Sequence, residues 1–208
     1  MQFESRKPRL MPLTGDGPEL DLPRLIEVLN RHEVEYLLVG GIAAAAYGAE
    51  RKTEDADCVV RRERSNLESL ASALRELHAR LRIARVSDEE AKLLKVQLDG
   101  VMLENSGNST WTTDAGPFDV LADLKDLDGR SVSYDELITR STVLRGDGFV
   151  LQVASLDDVI TAKQFADREK DREALPELLD LQKRIEFHEI QSPQLENNIE
   201  KRGPSLER

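Results

Sequence analysis

Residues 36–60 constrain this chain more than any other stretch. An apolar run at 36–39 stops abruptly at Gly40-Gly41, and a small-residue segment at 42–47 follows, closed by Gly48. A second apolar run, at 58–60, comes directly after Asp55 and Asp57. The order reads as strand, glycine turn, short helix, strand. Two glycines after a strand let the backbone approach a bulky ligand with no Cβ in the way. The helix opening there directs its first N–H groups into the turn, which suits a phosphate. Asp55 and Asp57 lie two apart on an extended segment and project to one side. Carboxylates that close repel unless a cation sits between them, and hard oxygen ligands suit Mg²⁺. A phosphate cradle beside a divalent-metal clamp is the equipment of phosphoryl or nucleotidyl transfer. Singly, paired aspartates and a Gly-Gly turn are ordinary surface features; their order is what points to a site.

Residues 117–121 form another short apolar strand, interrupted by Asp119. A charge in a buried strand is costly unless something neutralises it. The plain alternative is a strand-end carboxylate facing solvent, and Asp123 falls where that strand should end.

Gly40-Gly41, the intervening residues 42–54 and Asp55-Ala56-Asp57 resemble the signature of the polymerase-β-type nucleotidyltransferases. That signature is Gly followed by Gly or Ser, a spacer of about this length, and Asp-x-Asp. The Gly-Gly-x-Ala start and Arg51-x-Thr53-x-Asp55-x-Asp57 are most similar to the AbiEii/MenT-type toxin branch of toxin–antitoxin systems, with looser agreement to about residue 184. The resemblance implies an α/β (α+β) chain with the nucleotidyltransferase fold, a small mixed β-sheet flanked by helices, and a C-terminal helical part.

The resemblance also implies roles. Asp55, Asp57 and a third carboxylate on a neighbouring strand, Asp119, would hold Mg²⁺ (or Mn²⁺) against an NTP, and Asp119 would accept the proton of the attacking hydroxyl. Gly40 and Gly41 would cradle the phosphates, steadied by Lys163 and Arg51. A serine-capped helix carrying Lys163, followed by Arg168-x-Lys170-Asp171, is similar to the downstream region of the same toxins, where the Lys and Asp line the nucleotide pocket. By spacing alone, both residues read as a charged helix face. Thr53 would put its hydroxyl at the metal site, where an added phosphate would repel the triphosphate. The implied activity is transfer of NMP from an NTP to the 3′ acceptor end of tRNA, blocking aminoacylation and translation. The implied partners are tRNA and a cognate antitoxin protein or kinase. The alternatives are a small-molecule nucleotidyltransferase of the antibiotic-inactivating kind, and a non-catalytic nucleotide-binding or antitoxin module.

The remaining sequence sets bounds. At 208 residues, 39% hydrophobic and 33% charged, the chain suits one domain with a small helical appendage. No apolar stretch approaches bilayer length and no secretory signal is apparent, so a cytoplasmic protein is expected. The single cysteine, Cys58, fits a reducing compartment. A net charge of −11 argues against a general polyanion-binding surface. An RNA substrate would need a local patch, for which Arg61, Arg62 and Arg64 or Arg80, Arg82 and Arg85 are candidates; a solvated face accounts for either cluster equally well.

The expected organisation is a loose arm at 1–20, a nucleotidyltransferase core at 21–154, a helical part at 155–186 and a frayed tail at 187–208. Asp21 caps a helix with Leu22, Leu25, Ile26 and Leu29 on one face. Ser65–Glu68 reads as a capping box opening a helix to about residue 79, and 87–90 as another opening a helix to about 96. Residues 81–86 alternate with arginines, a pattern shared by an edge strand and a continued helix. Residues 99–116 read as loop around a weak strand at 109–113. Residues 133–140 suggest a capped helix, and 143–154 a hairpin turning at Gly146-Asp147-Gly148. His32, His78 and His188 are isolated and receive no role. Tyr47 is a candidate for stacking on a base or for core packing.

Overall fold

The computed structural model describes residues 18–82, 97–146 and 149–200, the last without side chains beyond 187. In chain order the elements are α1 (Leu22–Arg31), β1 (Tyr36–Leu38), α2 (Gly40–Ala46), β2 (Ala56–Val60), α3 (Arg64–Glu76) and β3 (Arg80–Leu81). After the undescribed residues 83–96 come α4 (Gly100–Ser106), β4 (Ser109–Thr113), β5 (Gly116–Leu121), β6 (Leu124–Lys125) and β7 (Ser131–Val132). Last come α5 (Tyr134–Leu137), β8 (Thr142–Gly146), β9 (Phe149–Val153), α6 (Leu156–Ala166) and α7 (Glu169–Glu200).

Seven strands form one mixed sheet in the order β3-β4-β5-β2-β1-β9-β8, and β6 pairs with β7 in a separate ladder. β2 runs antiparallel to β1 and parallel to β5, in a register that sets Asp57 opposite Asp119. The central strands are apolar on both faces, as strands covered by helices must be: Leu37, Leu38, Val59 and Val60 are fully enclosed. Trp111 and Phe118 face each other across β4 and β5 and are the largest side chains buried in the core. Asp21 accepts the Arg24 N–H at 3.1 Å, and α1 buries Leu25, Ile26, Val28 and Leu29 as its periodicity requires. Ser133 and Glu136 form the capping box of α5, and Ser155 caps α6. The hairpin of β8 and β9 pairs Gly146 with Phe149; its turn, residues 147–148, lies outside the described residues.

Four expectations need correction. The capping box at Ser65–Glu68 is not formed: α3 starts at Arg64, with Glu63 at its N-cap making no side-chain bond. Asn66 explains the early start. It turns inward, accepts the Glu35 N–H at 2.7 Å and donates to the carbonyls of Glu35 and Arg61 at 2.9 Å each, drawing the helix entrance onto the end of β2. The same helix ends at Glu76 rather than near 79. Within 99–116, residues expected in a loop form α4: Asp99 accepts the Met102 N–H at 2.8 Å and Leu103 packs into the core. At the other end, the backbone of α7 stays helical to Glu200, beyond the residue near 186 where the helical part was expected to give way to a frayed tail. The expected helix at 87–96, most of the arm at 1–20, and residues 201–208 of the tail lie outside the described residues.

The arginine cluster at 61–64 is built into this architecture instead of lining an open basic face. Arg61 bonds Glu35 at 2.7 Å and Asp135 at 2.9 Å and lies over the Tyr134 ring at 5.2 Å. Arg64 pairs with Glu68 and Glu104, each at 3.1 Å. Arg62 donates to the carbonyls of Leu103, Glu104 and Gly107, closing the C-terminal end of α4 with a side chain from β2's exit. Arg62→Ala therefore leaves those carbonyls without their partner and is expected to lower stability by about 1–2 kcal/mol. Denaturant melts check this.

Candidate active site

The site forms where β1 stops. Val39 ends the strand by donating its N–H to the Asp57 carbonyl at 2.9 Å, and α2 begins at Gly40. Gly40 has φ +59°, a left-handed conformation that side chains disfavour, and a Cβ there would overlap the Asp57 carboxylate. A Cβ on Gly41 would stand 2.5 Å from Thr53 Oγ1. Both glycines are thus required by the side chains that close over them. The Thr53 hydroxyl lies 2.9 Å from the Asp55 carbonyl and 3.1 Å from Asp55 Oδ1, where its single proton is donated to one or the other.

Asp57 and Asp119 sit side by side on neighbouring parallel strands, with Asp55 just before β2. The carboxyl of Asp57 is pushed up to about 6, chiefly by burial and then by Asp55 and Asp119; Lys170 and Lys163 pull the other way. Asp119 is also raised, first by burial and also by Asp55, against a hydrogen bond from Thr110 and the charges of Arg82 and Lys170. These carboxylates crowd one another, and cations from other elements only partly relieve them.

The facing wall comes from α6 and the start of α7. Asp171 is fully enclosed, 2.6 Å from Arg168 Nε and 3.4 Å from Lys163 Nζ. Burial opposes its charge, but the Arg168 hydrogen bond and the Lys163 charge outweigh that and hold its carboxyl below the usual range. Between the walls lies a cleft of about 710 Å³, lined by the residues to which the resemblance gives metal or nucleotide roles: Gly40, Gly41, Arg51, Thr53, Asp55, Asp57, Asp119, Lys163 and Asp171. Arg51 reaches across to Glu173 of α7 at 3.0 Å, so it also ties the two walls together. Asp123 lines the cleft too, paired with Lys125 at 3.1 Å.

Sequence reasoning gave no site role to Arg168, Lys170 or Thr110, and read Arg82 only as part of a candidate RNA patch. Arg168 and Lys170 belong to a charged run whose inward face only the α6–α7 packing reveals, and nothing local marks Thr110. Tyr47 is no stacking platform: its hydroxyl, 3.0 Å from Thr142 Oγ1 and 3.1 Å from the Ala154 carbonyl, tethers α2 to β8 and β9. His32 and His78 pair with Glu76 and Asp114, and the His188 side chain lies outside the described residues.

Among the described residues, no three acidic, histidine or cysteine side chains are gathered into a group that could hold a metal ion. Mg²⁺ rarely uses such all-protein cages; it is held by one or two carboxylates together with substrate phosphates and waters. The oxygen-only donors and the raised carboxyl of Asp57 fit that mode. No described helix is long and apolar enough to cross a membrane.

The fold is that of the nucleotidyltransferases, with α/β layers and a mixed sheet. No family model matches the sequence, and no curated protein does. Among solved structures, the chain is similar to the lincomycin-bound lincosamide antibiotic adenylyltransferase LnuA, with TM-score 0.50 and 12% identity over 79% of this chain and 99% of that one. It also matches the antibiotic-resistance factor ANT(2″)-Ia, with TM-score 0.45 and 13% identity over 85% and 95%. A candidate nucleotidyltransferase from Thermotoga maritima matches with TM-score 0.47 and 16% identity over 76% and 90%. At these identities the likeness is one of fold.

Gly40→Ala tests the tightness of the corner. Gly107 also has a positive φ, +61°, but open space around its Cβ, so Gly107→Ala is a positive-φ control without the clash. If the turn cradles phosphates, equilibrium binding should show NTP affinity at least about tenfold weaker in Gly40→Ala and unchanged in Gly107→Ala, while both lose stability from strain.

Proposed function

We propose that the chain is a Mg²⁺-dependent nucleotidyltransferase that moves NMP from an NTP to an acceptor hydroxyl. The observation that carries this reading is the register pairing of Asp57 with Asp119 beside the Gly40-Gly41 turn, with Asp57 raised to about 6 by burial first and then by the neighbouring carboxylates Asp55 and Asp119. Bound Mg²⁺ would supply charge neutralisation at the triphosphate and polarise the α-phosphate. The first N–H groups of α2 face the phosphates, and Lys163, held by Asp171, adds positive charge. Asp119 takes the proton of the acceptor hydroxyl as its oxygen bonds to the α-phosphorus and the bond to the departing pyrophosphate breaks. The resemblance assigns this role to Asp119, and its affinity for protons, raised first by burial, suits a base.

The acceptor implied by the sequence resemblance is the 3′ end of tRNA, which would make the protein a toxin restrained by an antitoxin protein or a kinase. The Thr53 hydroxyl, between Gly41 and Asp55, is where an added phosphate would occupy the place of the substrate's own. A small-molecule acceptor is the second reading. Use of Arg61, Arg62 and Arg64 inside the fold, with a net charge of −11, favours it. Incubation with Mg²⁺, each labelled NTP and either total RNA or a panel of hydroxyl-bearing antibiotics separates the two. Label on tRNA 3′ ends supports the first, label on a small molecule the second, and no transfer to either overturns the proposal.

A further inference from the structure

The cleft has an apolar wall that the transfer chemistry leaves unused. Leu124 of β6 and Val159, Ala162, Phe165 and Ala166 of α6 line it, whereas the phosphate-facing side is built by α2, the approach to β2 and, from α6, Lys163. Ala162 and Ala166 are one helical turn apart, so their small side chains leave the same strip of the cleft open. Beside that strip stands Phe165, 45% exposed although it belongs to the cleft lining. Its ring rests on the turn between β6 and β7: a Cβ on Gly129 would lie 3.2 Å from Phe165 Cε2 and 3.5 Å from Cζ. A side chain at position 129 would press the ring back by a few tenths of an ångström, so the bare glycine lets the ring lie close to the turn. A lone exposed phenylalanine on a surface means little. One seated against a backbone turn, at the rim of a cleft whose other side is polar, offers a fixed planar face.

We propose that Phe165 is the stacking platform for the nucleobase of the NTP. The inference rests on the nucleotidyltransferase reading and extends it. An NTP is polar at its phosphates and planar and apolar-faced at its base, and the cleft divides in the same sense. Stacking on an aromatic ring accepts any base face, so Phe165 contributes affinity, and base choice falls to polar neighbours.

Titration calorimetry with Mg²⁺ tests this on wild type, Phe165→Ala and Phe165→Trp, using each of the four NTPs and inorganic tripolyphosphate, which has no base. Phe165→Ala should bind the preferred NTP about tenfold more weakly and tripolyphosphate as wild type does, while Phe165→Trp keeps NTP affinity. Equal weakening of both ligands means α6 has been disturbed and overturns the inference, as does unaltered NTP affinity. A raised KM for the acceptor with NTP binding intact assigns the ring to the acceptor and also overturns it. Wild type binding none of the NTPs defeats the nucleotidyltransferase reading itself, and this inference with it.

Discussion

Asp57→Asn is expected to abolish nucleotide transfer and, at the same time, to make the metal-free protein more stable at neutral pH. The activity loss, about a thousandfold, follows if, as proposed, Asp57 places its charge where the triphosphate and its cation meet. The stability gain follows from linkage. The carboxyl of Asp57 is pushed up to about 6 in the fold, chiefly by burial, from an ordinary aspartate value of 3.8. The folded state therefore binds this proton more tightly than the unfolded chain. Stability falls as pH rises between those two values, and the penalty is complete above about 6. A shift of this size corresponds to at most about 3 kcal/mol, which an uncharged amide of the same shape does not incur. Denaturant melts at pH 7.5 without metal should place Asp57→Asn above wild type, with the gap closing toward pH 4. Adding Mg²⁺ should stabilise wild type at pH 7.5 and do less for the variant. A variant less stable than wild type at every pH would mean that the carboxylates are not crowded in solution.

The parts of this site legible in the sequence are those whose chemistry conflicts with their local pattern. Gly40-Gly41 interrupts an apolar run, and Asp119 sits in the middle of one; each conflict announces a requirement that packing alone does not create. The period-two spacing of Asp55 and Asp57 and the apolar stripe of α1 are likewise local, and the structure repeats them. What escaped depends on residues far apart in the chain. Helix α4 carries Gly, Asn and Ser, which read as loop, and it is held by Asp99 at one end and by Arg62, some forty positions earlier, at the other. The arginines at 61–64 look like a basic patch until their partners Glu35, Glu104 and Asp135 come alongside. Phe165 reads as a helix residue like its neighbours until the β6–β7 turn comes to lie against it.

Asp171→Asn is expected to cut transfer about a hundredfold through Lys163 and Arg168, neither of which it alters covalently. The Asp171 side chain is fully enclosed and joins two cations from either side of the α6–α7 junction, a corner where Asp167 takes φ +45°. With the charge gone, Lys163 loses its anchor and swings free over the phosphate end of the cleft, so the loss should fall on kcat more than on folding. The stability cost should be modest, about 1–2 kcal/mol, because Arg168 is 62% exposed and keeps its water. Its pH dependence has a definite sign. Asp171 is held below its usual range, so it stabilises the fold above the ordinary carboxylate pKa and loses that contribution as pH falls through its own. The Asn variant should therefore lose less stability than wild type on acidification. A double-mutant cycle distinguishes positioning from simple damage. If Asp171 acts through Lys163, then Lys163→Ala should cost much less in the Asp171→Asn background than in wild type, a coupling of about 1–2 kcal/mol in transition-state free energy. Additive losses would make Asp171 a structural pin for α7 and nothing more.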